Sequence, residues 1–122
     1  MPFVEILAPP SGAAAKIAAS RALTDAIVQG FGVGPETVSI YVLPVGPADY
    51  VHAGEPAQQG VAQRVFVKIH AYRRDAEKRR AVVAAAAKPM AEAFGVGLAD
   101  VAIYFLERSP DEVAHGDTLA SD

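Results

Sequence analysis

The sequence predicts one α+β domain, a two-layer α/β sandwich in which two β-α-β units form a four-stranded sheet with two helices on one face. Three observations predict it: an internal repeat, a hydrophobic pattern that reads strand, helix, strand in each copy, and the bulk composition. The chain has 122 residues, of which 52% are hydrophobic and 20% charged. This size and balance suit a single globular domain with one core and exclude a disordered chain.

The repeat is visible in two similar segments. Residues 30–44 read GFGVGPETVSIYVLP and residues 93–107 read AFGVGLADVAIYFLE. Phe31 corresponds to Phe94 and Tyr41 to Tyr104, and both offsets (94 − 31 and 104 − 41) equal 63. Carried backwards without a gap, this offset places FVEILA at 3–8 on FVKIHA at 66–71. A register kept over this length indicates a duplicated unit.

The hydrophobic pattern assigns elements to each copy. Runs rich in β-branched and aromatic residues predict strands at 3–8, 37–43, 65–72 and 100–106. Alanine-rich segments with helical spacing predict helices at 12–31 and 76–94, whose larger apolar side chains are Ile17, Ile27, Phe31, Val83, Met90 and Phe94. The predicted organisation of the single domain, 1–122, is unit one at 2–44, a linker at 45–63, unit two at 64–107 and a tail at 108–122.

Local signals mark the ends of the two helices. Ser11 and Asp75 are candidate N-caps, and Gly32 and Gly95 occupy C-cap positions that favour a positive φ. Pro89 lies within the second helix and predicts a kink there. The linker is rich in proline and glycine, and loops of this length are often functional.

Strand alternation predicts an oligomer. One set of alternate positions carries valine and isoleucine that can face the helices. The opposite set is also largely apolar, with few charged side chains: Phe3, Leu7, Tyr41, Leu43, Phe66, Tyr72, Tyr104 and Leu106 against Glu5, Lys68 and His70. Such a face is too apolar to remain in water, so we expect other subunits to cover it.

The composition limits the classes of partner and cofactor that are expected. A net charge of −3 gives no broad basic surface, so neither nucleic acid nor a membrane is expected as a partner. The chain has no cysteine, and no histidine and carboxylate set has the spacing of metal ligands, so neither a metal nor another cofactor is expected. With no basic n-region before the first apolar run and no span long enough for a bilayer, a cytoplasmic protein is predicted.

Several features together make the chain resemble the tautomerase superfamily over nearly its whole length. They are Pro2 directly after the initiator, the doubled β-α-β unit, YRRDAEKRR at 72–80 and VAIYFLERSPDEVAHGDTL at 101–119. Each β-α-β unit of the chain resembles 4-oxalocrotonate tautomerase, which consists of one such unit. The resemblance extends to the two-unit members, macrophage migration inhibitory factor, malonate semialdehyde decarboxylase and cis-3-chloroacrylic acid dehalogenase. It implies a homotrimer that acts on a small carboxylate substrate.

The resemblance also implies site residues. Pro2, once Met1 is removed, would present a secondary amine that shuttles a proton in an enol or 2-hydroxy-dienoate acid. Arg74 aligns with the arginine that binds the substrate carboxylate, which suits a planar guanidinium fork. Arg73 beside it is a second substrate-binding candidate, and Tyr104 matches a tyrosine that orients substrate or water.

Three functions remain open at this point. The first is a tautomerase with catalytic Pro2, Arg74 and Tyr104. The second is a hydratase, dehalogenase or decarboxylase of a 3-carbon acid, although Ile27 and Ala114 stand near where the dehalogenase carries its histidine and glutamate. The third is a non-enzymatic binding or interaction protein, such as a ferredoxin-like domain, in which Pro2 merely begins a strand and Arg74 is a solvated helix start.

Overall fold

The computed structural model describes residues 1–122 and consists of a two-layer sandwich with two small hairpins. The elements in chain order are β1 (Phe3–Ala8), α1 (Ala13–Phe31), β2 (Ser39–Pro44), β3 (Val51–His52), β4 (Glu55–Pro56), β5 (Val65–Tyr72), α2 (Ala76–Phe94), β6 (Val101–Arg108), β7 (Ala114–His115) and β8 (Thr118–Leu119). The second strand of each unit begins slightly later than predicted, at Ser39 and Val101, because a 3₁₀ turn precedes each of them.

The main sheet has the order β2-β1-β5-β6 and confirms the predicted fold class. Strands β1 and β2 are parallel, β5 and β6 are parallel, and β1 and β5 join the two units antiparallel. The two strands of each β-α-β unit are therefore direct neighbours. The ferredoxin-like alternative is wrong, since a split β-α-β unit needs another strand between its parallel pair.

The duplication is visible in the element boundaries. Helices α1 and α2 both have 19 residues, and their first residues, Ala13 and Ala76, are separated by the repeat offset. Both helices end at a left-handed glycine, with φ of 68° at Gly32 and 65° at Gly95, as predicted. This conformation costs glycine little because it has no Cβ.

The N-caps of the two helices differ. Asp75 caps α2 as predicted, with its carboxylate accepting a hydrogen bond from the Lys78 amide at 2.9 Å. The Ser11 prediction is wrong, because α1 begins after Gly12 and no side chain caps it. The Ser11 hydroxyl instead donates to the Pro9 carbonyl at 3.1 Å.

Two of the larger apolar side chains on the predicted helices lie outside the core. Ile17 is 50% exposed and Val83 36% exposed, whereas Leu23 and Val82 are fully buried. Val82 follows the four-residue spacing to the buried Ala86 and Met90, so Val83 lies about 100° around the helix. Helix α2 also continues past Pro89 without a break. The buried residues beyond it pack in the core, and this packing offsets the hydrogen bond that proline removes.

The core lies between the helices and one face of the sheet. Its strand members include five of the valines and isoleucines predicted for this face, Val4, Ile6, Val65, Val67 and Ile69, together with Ala8 and Ala71. The predicted Val38, Ile40, Val101 and Ile103 are partly buried and pack against this core. The opposite face has no layer over it within one chain. Tyr41 is 63% and Tyr104 54% exposed there, while Phe66 stacks on Tyr104 with ring centroids 6.0 Å apart. The predicted apolar open face is confirmed.

The linker and the tail each contain a short hairpin, β3–β4 and β7–β8 respectively. The Gln63 amide donates to the Val45 carbonyl at 2.8 Å, which ties the end of the linker to its beginning. No helix is long and apolar enough to cross a membrane.

Candidate active site at the start of the first strand

The antiparallel pairing of β1 with β5 determines which residues surround Pro2. Phe3 is paired with His70, so the start of β1 lies beside the end of β5. Because β6 is parallel to β5, its last residues reach the same edge, where Tyr72 is paired with Arg108. Three separate segments of the chain therefore meet at this edge of the sheet.

Pro2 itself is fully buried and is anchored in the sheet. Its side chain has the same parity as Val4 and Ile6, so it faces the helix layer. Its carbonyl accepts a hydrogen bond from the Ser39 amide at 3.1 Å. The lack of an N–H does not weaken the ladder because Pro2 precedes the first paired residue.

A cavity of about 390 Å³ opens next to this terminus. Its wall on the sheet consists of Met1, Phe3, His70, Tyr72 and Arg108. The tail forms the other wall with residues 112–115, of which Glu112 is acidic. The tail therefore lines the same cavity as Met1.

The electrostatics at the terminus disfavour a positive charge. Partial burial, and secondarily the positive charge of Arg74, lower the pKa of the Met1 amine below its usual value near 8. Both causes act on the ammonium form, since burial removes its hydration and a nearby cation repels it. Both effects increase the fraction of the Met1 amine that is unprotonated near neutral pH.

Arg74 is held in a fixed position between strand β5 and the helix layer. Its Nη1 donates to the Tyr72 carbonyl at 2.7 Å. Its guanidinium carbon lies 4.8 Å from the centre of the Phe31 ring, at the end of α1. A cation over an aromatic face is attracted by the ring quadrupole, so the aromatic contact orients the guanidinium plane.

Glu107 fixes the backbone that carries Arg74. One carboxylate oxygen accepts the Arg74 amide at 2.8 Å, and the other accepts a hydrogen bond from Arg79 of α2. Glu107 therefore has both oxygens engaged and joins the strand–helix junction to β6. The sequence does not predict a role for Glu107, because its partners become apparent only when the pairing of β5 with β6 is known.

The predicted site residues fall into two groups. Arg74 lies near enough to the terminus for its charge to act on the Met1 amine, although it does not line the cavity beside Met1. Arg73 is exposed and makes no side-chain hydrogen bond or ion pair. Tyr104 lies on the open face of the sheet and does not line the cavity beside Met1.

The structure adds His70 and Arg108, which the sequence did not single out as site residues. Arg108 Nη1 lies 2.8 Å from His70 Nδ1, and His70 Nε2 lies 2.8 Å from a Glu5 carboxylate oxygen. The hydrogen bond from His70, with the charge of Lys68 adding to it, lowers the pKa of Glu5. Strand parity places all of these side chains on the open face of the sheet.

The repeat does not create a second copy of this arrangement. The residue equivalent to Pro2 is Val65, which lies buried within the chain. The residue equivalent to Arg74 is Ser11, whose hydroxyl is used locally. Each chain therefore has one such site.

The fold and the site together define a class of protein: a duplicated β-α-β sandwich with a cavity beside its proline-bearing first strand. No protein-family model matches the sequence, and no curated protein matches it either. Solved structures do match the fold, and three of them are similar to this chain over almost its full length.

The native fused 4-OT structure is similar at a TM-score of 0.88 and 20% identity, covering 98% of this chain and 96% of that chain. A malonate semialdehyde decarboxylase inhibited by 3-bromopropiolate has a TM-score of 0.76 at 22% identity, covering 98% of this chain and 92% of that one. The macrophage migration inhibitory factor of Toxoplasma gondii has a TM-score of 0.76 at 18% identity, covering 96% and 98%. The chain therefore has the two-unit fold of these three structures, which is the fold that the resemblance implied.

Proposed function

We propose that the mature protein is a tautomerase that uses the amine of Pro2, exposed by removal of Met1, to move a proton in a small enol or 2-hydroxy-dienoate carboxylic acid. Arg74 binds the carboxylate of the substrate. The observation that carries the proposal is the buried position of Pro2 at the start of β1, where burial and the charge of Arg74 lower the pKa of the neighbouring Met1 amine.

The same two causes act on a Pro2 amine, whose nitrogen begins the same strand one residue later. A lowered pKa increases the fraction of the amine that is unprotonated near neutral pH and can accept a proton. The buried ring, the locked φ of proline and the hydrogen bond to Ser39 hold the nitrogen in place. Little conformational freedom is then lost when the substrate binds.

The proposed reaction needs one base and one anchor. The Pro2 nitrogen takes the proton from the enol hydroxyl and returns it to carbon, so it is regenerated in each cycle. The Arg74 guanidinium presents parallel N–H groups to the two carboxylate oxygens, and its contact with Phe31 restricts its direction. No other group has to gain or lose a proton.

Decarboxylation of a 3-oxo acid is the second candidate, because a malonate semialdehyde decarboxylase shares the fold over nearly the whole chain. It needs an amine that stays protonated, which the lowered pKa of this terminus disfavours. Hydration or dehalogenation is less favoured still. Ile27 is fully buried in the core, and Ala114, which lines the cavity, carries no carboxylate.

The test is the ketonisation of phenylpyruvate enol, followed by loss of enol absorbance with the mature protein. We expect turnover above the uncatalysed rate, and no carbon dioxide release from malonate semialdehyde. Carbon dioxide release without enol ketonisation would favour the decarboxylase. Inactivity toward both substrates, in a chain that mass spectrometry shows to lack Met1, would favour a non-enzymatic binding protein.

We also propose a homotrimer, formed through the open face of the sheet. Fused 4-OT structures of this fold include symmetric and asymmetric trimers. The expected mass by sedimentation equilibrium is three times the 12.7 kDa of one chain. Tyr41→Glu places a charge on the open face and should give monomers, while Val61→Glu, in the linker, should leave the trimer intact. A monomeric unsubstituted protein would refute this assembly.

A further inference from the structure

The tail, residues 108–122, has only one side-chain hydrogen bond to the rest of the chain. Strands β7 and β8 pair only with each other, and the side-chain hydrogen bonds of the residues after Arg108 stay within the tail. The exception is Arg108 itself, whose Nη1 donates to Nδ1 of His70 at 2.8 Å. This contact therefore links the start of the tail to β5, a central strand of the sheet.

The hydrogen bond between Arg108 and His70 requires a neutral imidazole. A guanidinium can only donate hydrogen bonds, so His70 Nδ1 must be the acceptor. The proton of the neutral ring then lies on Nε2, which donates to a Glu5 carboxylate oxygen at 2.8 Å. The ring also stacks on Phe3, with centroids 5.0 Å apart and planes at 15°, which restricts its rotation. A second proton, on Nδ1, would therefore point at the guanidinium and break the contact with Arg108.

The charges around His70 determine what its protonation does. The Glu5 carboxylate is in contact with the ring, and Lys68 Nζ lies 3.6 Å from the same carboxylate oxygen. The hydrogen bond from His70, with the charge of Lys68 adding to it, lowers the pKa of Glu5, so Glu5 remains ionised where histidines take up a proton. An imidazolium would keep Glu5 as its partner and repel Arg108. The other titratable groups of the cavity that His70 lines make no hydrogen bond to it: the Met1 amine, Tyr72, Glu112 and His115.

We propose that His70 is a pH-sensitive switch for the tail: the neutral ring holds Arg108 against the sheet, and the protonated ring releases Arg108 and loosens the tail. The tail is therefore ordered at higher pH and is released as the pH falls through the range in which histidines ordinarily change charge, pH 5 to 8. Because the tail forms one wall of the cavity beside Met1, its release widens access to that cavity. The switch does not depend on the proposed reaction, since it involves only contacts within the chain.

The experiment measures ¹⁵N NMR relaxation of the backbone amides in the mature protein between pH 8 and pH 5. At pH 8 the tail amides should have order parameters close to those of the sheet, about 0.85, and at pH 5 these should fall below about 0.6. Arg108→Leu removes the donor, so its tail should be mobile at both pH values. A tail that is equally ordered, or equally mobile, at pH 8 and pH 5 in the unsubstituted protein would overturn the proposal.

The three histidines of the chain provide matched variants. Glutamine can accept from Arg108 and donate to Glu5 with one amide but takes up no proton, so His70→Gln should keep the tail ordered down to pH 5. His52→Gln in the linker and His115→Gln in the tail itself should both retain the pH dependence. A transition that survives in His70→Gln, or that is lost in His115→Gln, would contradict the assignment to His70. Imidazole ¹⁵N shifts test the tautomer directly: we expect the His70 proton on Nε2 at pH 8, and a proton on Nδ1 would refute the contact with Arg108.

Discussion

Replacing Pro2 with alanine lowers kcat for enol ketonisation by about 10²–10⁴-fold, the range that general acid–base catalysis contributes. Alanine leaves a primary amine that can rotate, so the nitrogen loses the fixed direction that the buried proline ring gives it. KM should change little, because the carboxylate anchor is intact. The measurement is steady-state kinetics on phenylpyruvate enol.

Two controls accompany this variant. Intact mass must show that both the variant and the unsubstituted chain have lost Met1, because an acylated nitrogen cannot act as a base. Pro10→Ala, an exposed proline beyond the opposite end of β1, should retain the full rate. A Pro2→Ala variant as active as Pro10→Ala would remove the basis for an amine-catalysed reaction.

Removal of Arg74 should weaken the binding of the carboxylate substrate and change the pKa of the terminal amine. Arg74→Ala should raise KM for a carboxylate substrate by about tenfold or more, since a hydrogen-bonded charge pair is lost. Its positive charge lowers the pKa of the terminal amine, so its removal should raise that pKa. The acid limb of the kcat/KM profile, where activity rises as the base is deprotonated, should therefore move to higher pH. Burial remains, so the pKa should not return fully to its usual value.

Arg21→Ala is the matched control, because Arg21 is an exposed arginine on α1 away from this edge of the sheet. It should leave KM and the pH profile unchanged. Because Arg74 also packs on Phe31, its replacement affects stability as well as binding. Thermal unfolding of Arg74→Ala distinguishes a loss of carboxylate binding from a loss of the folded structure. An unchanged acid limb in a folded Arg74→Ala variant would mean that Arg74 does not act on the base.

The sequence predicts those features that depend on a local pattern or on the repeat. The repeat that relates Phe31 to Phe94 predicts two equivalent helices, and the structure has two helices of equal length. Gly32 and Gly95 end these helices as predicted. The N-cap was misassigned because Ser11 is a good capping residue by type, whereas the repeat places Gly12 opposite Asp75.

The site was predicted only in part, for a physical reason. Pro2 and Arg74 carry signals in their own segments, namely a proline after the initiator and a basic strand–helix junction. Arg108, His70 and Glu5 lie on three different strands, and only the registers of β1 with β5 and of β5 with β6 bring them together. A single sequence shows strand parity, but it does not show which residue faces which across the sheet.

The most direct test is a ¹⁵N NMR titration of proline-labelled mature protein. One proline nitrogen should titrate as a free secondary amine, with a pKa that lies below that of a proline amine in water and that rises in Arg74→Ala. The proposed function would be contradicted by a nitrogen at Pro2 that does not titrate, or by an amine whose pKa is no lower than that of a proline amine in water and does not respond to Arg74.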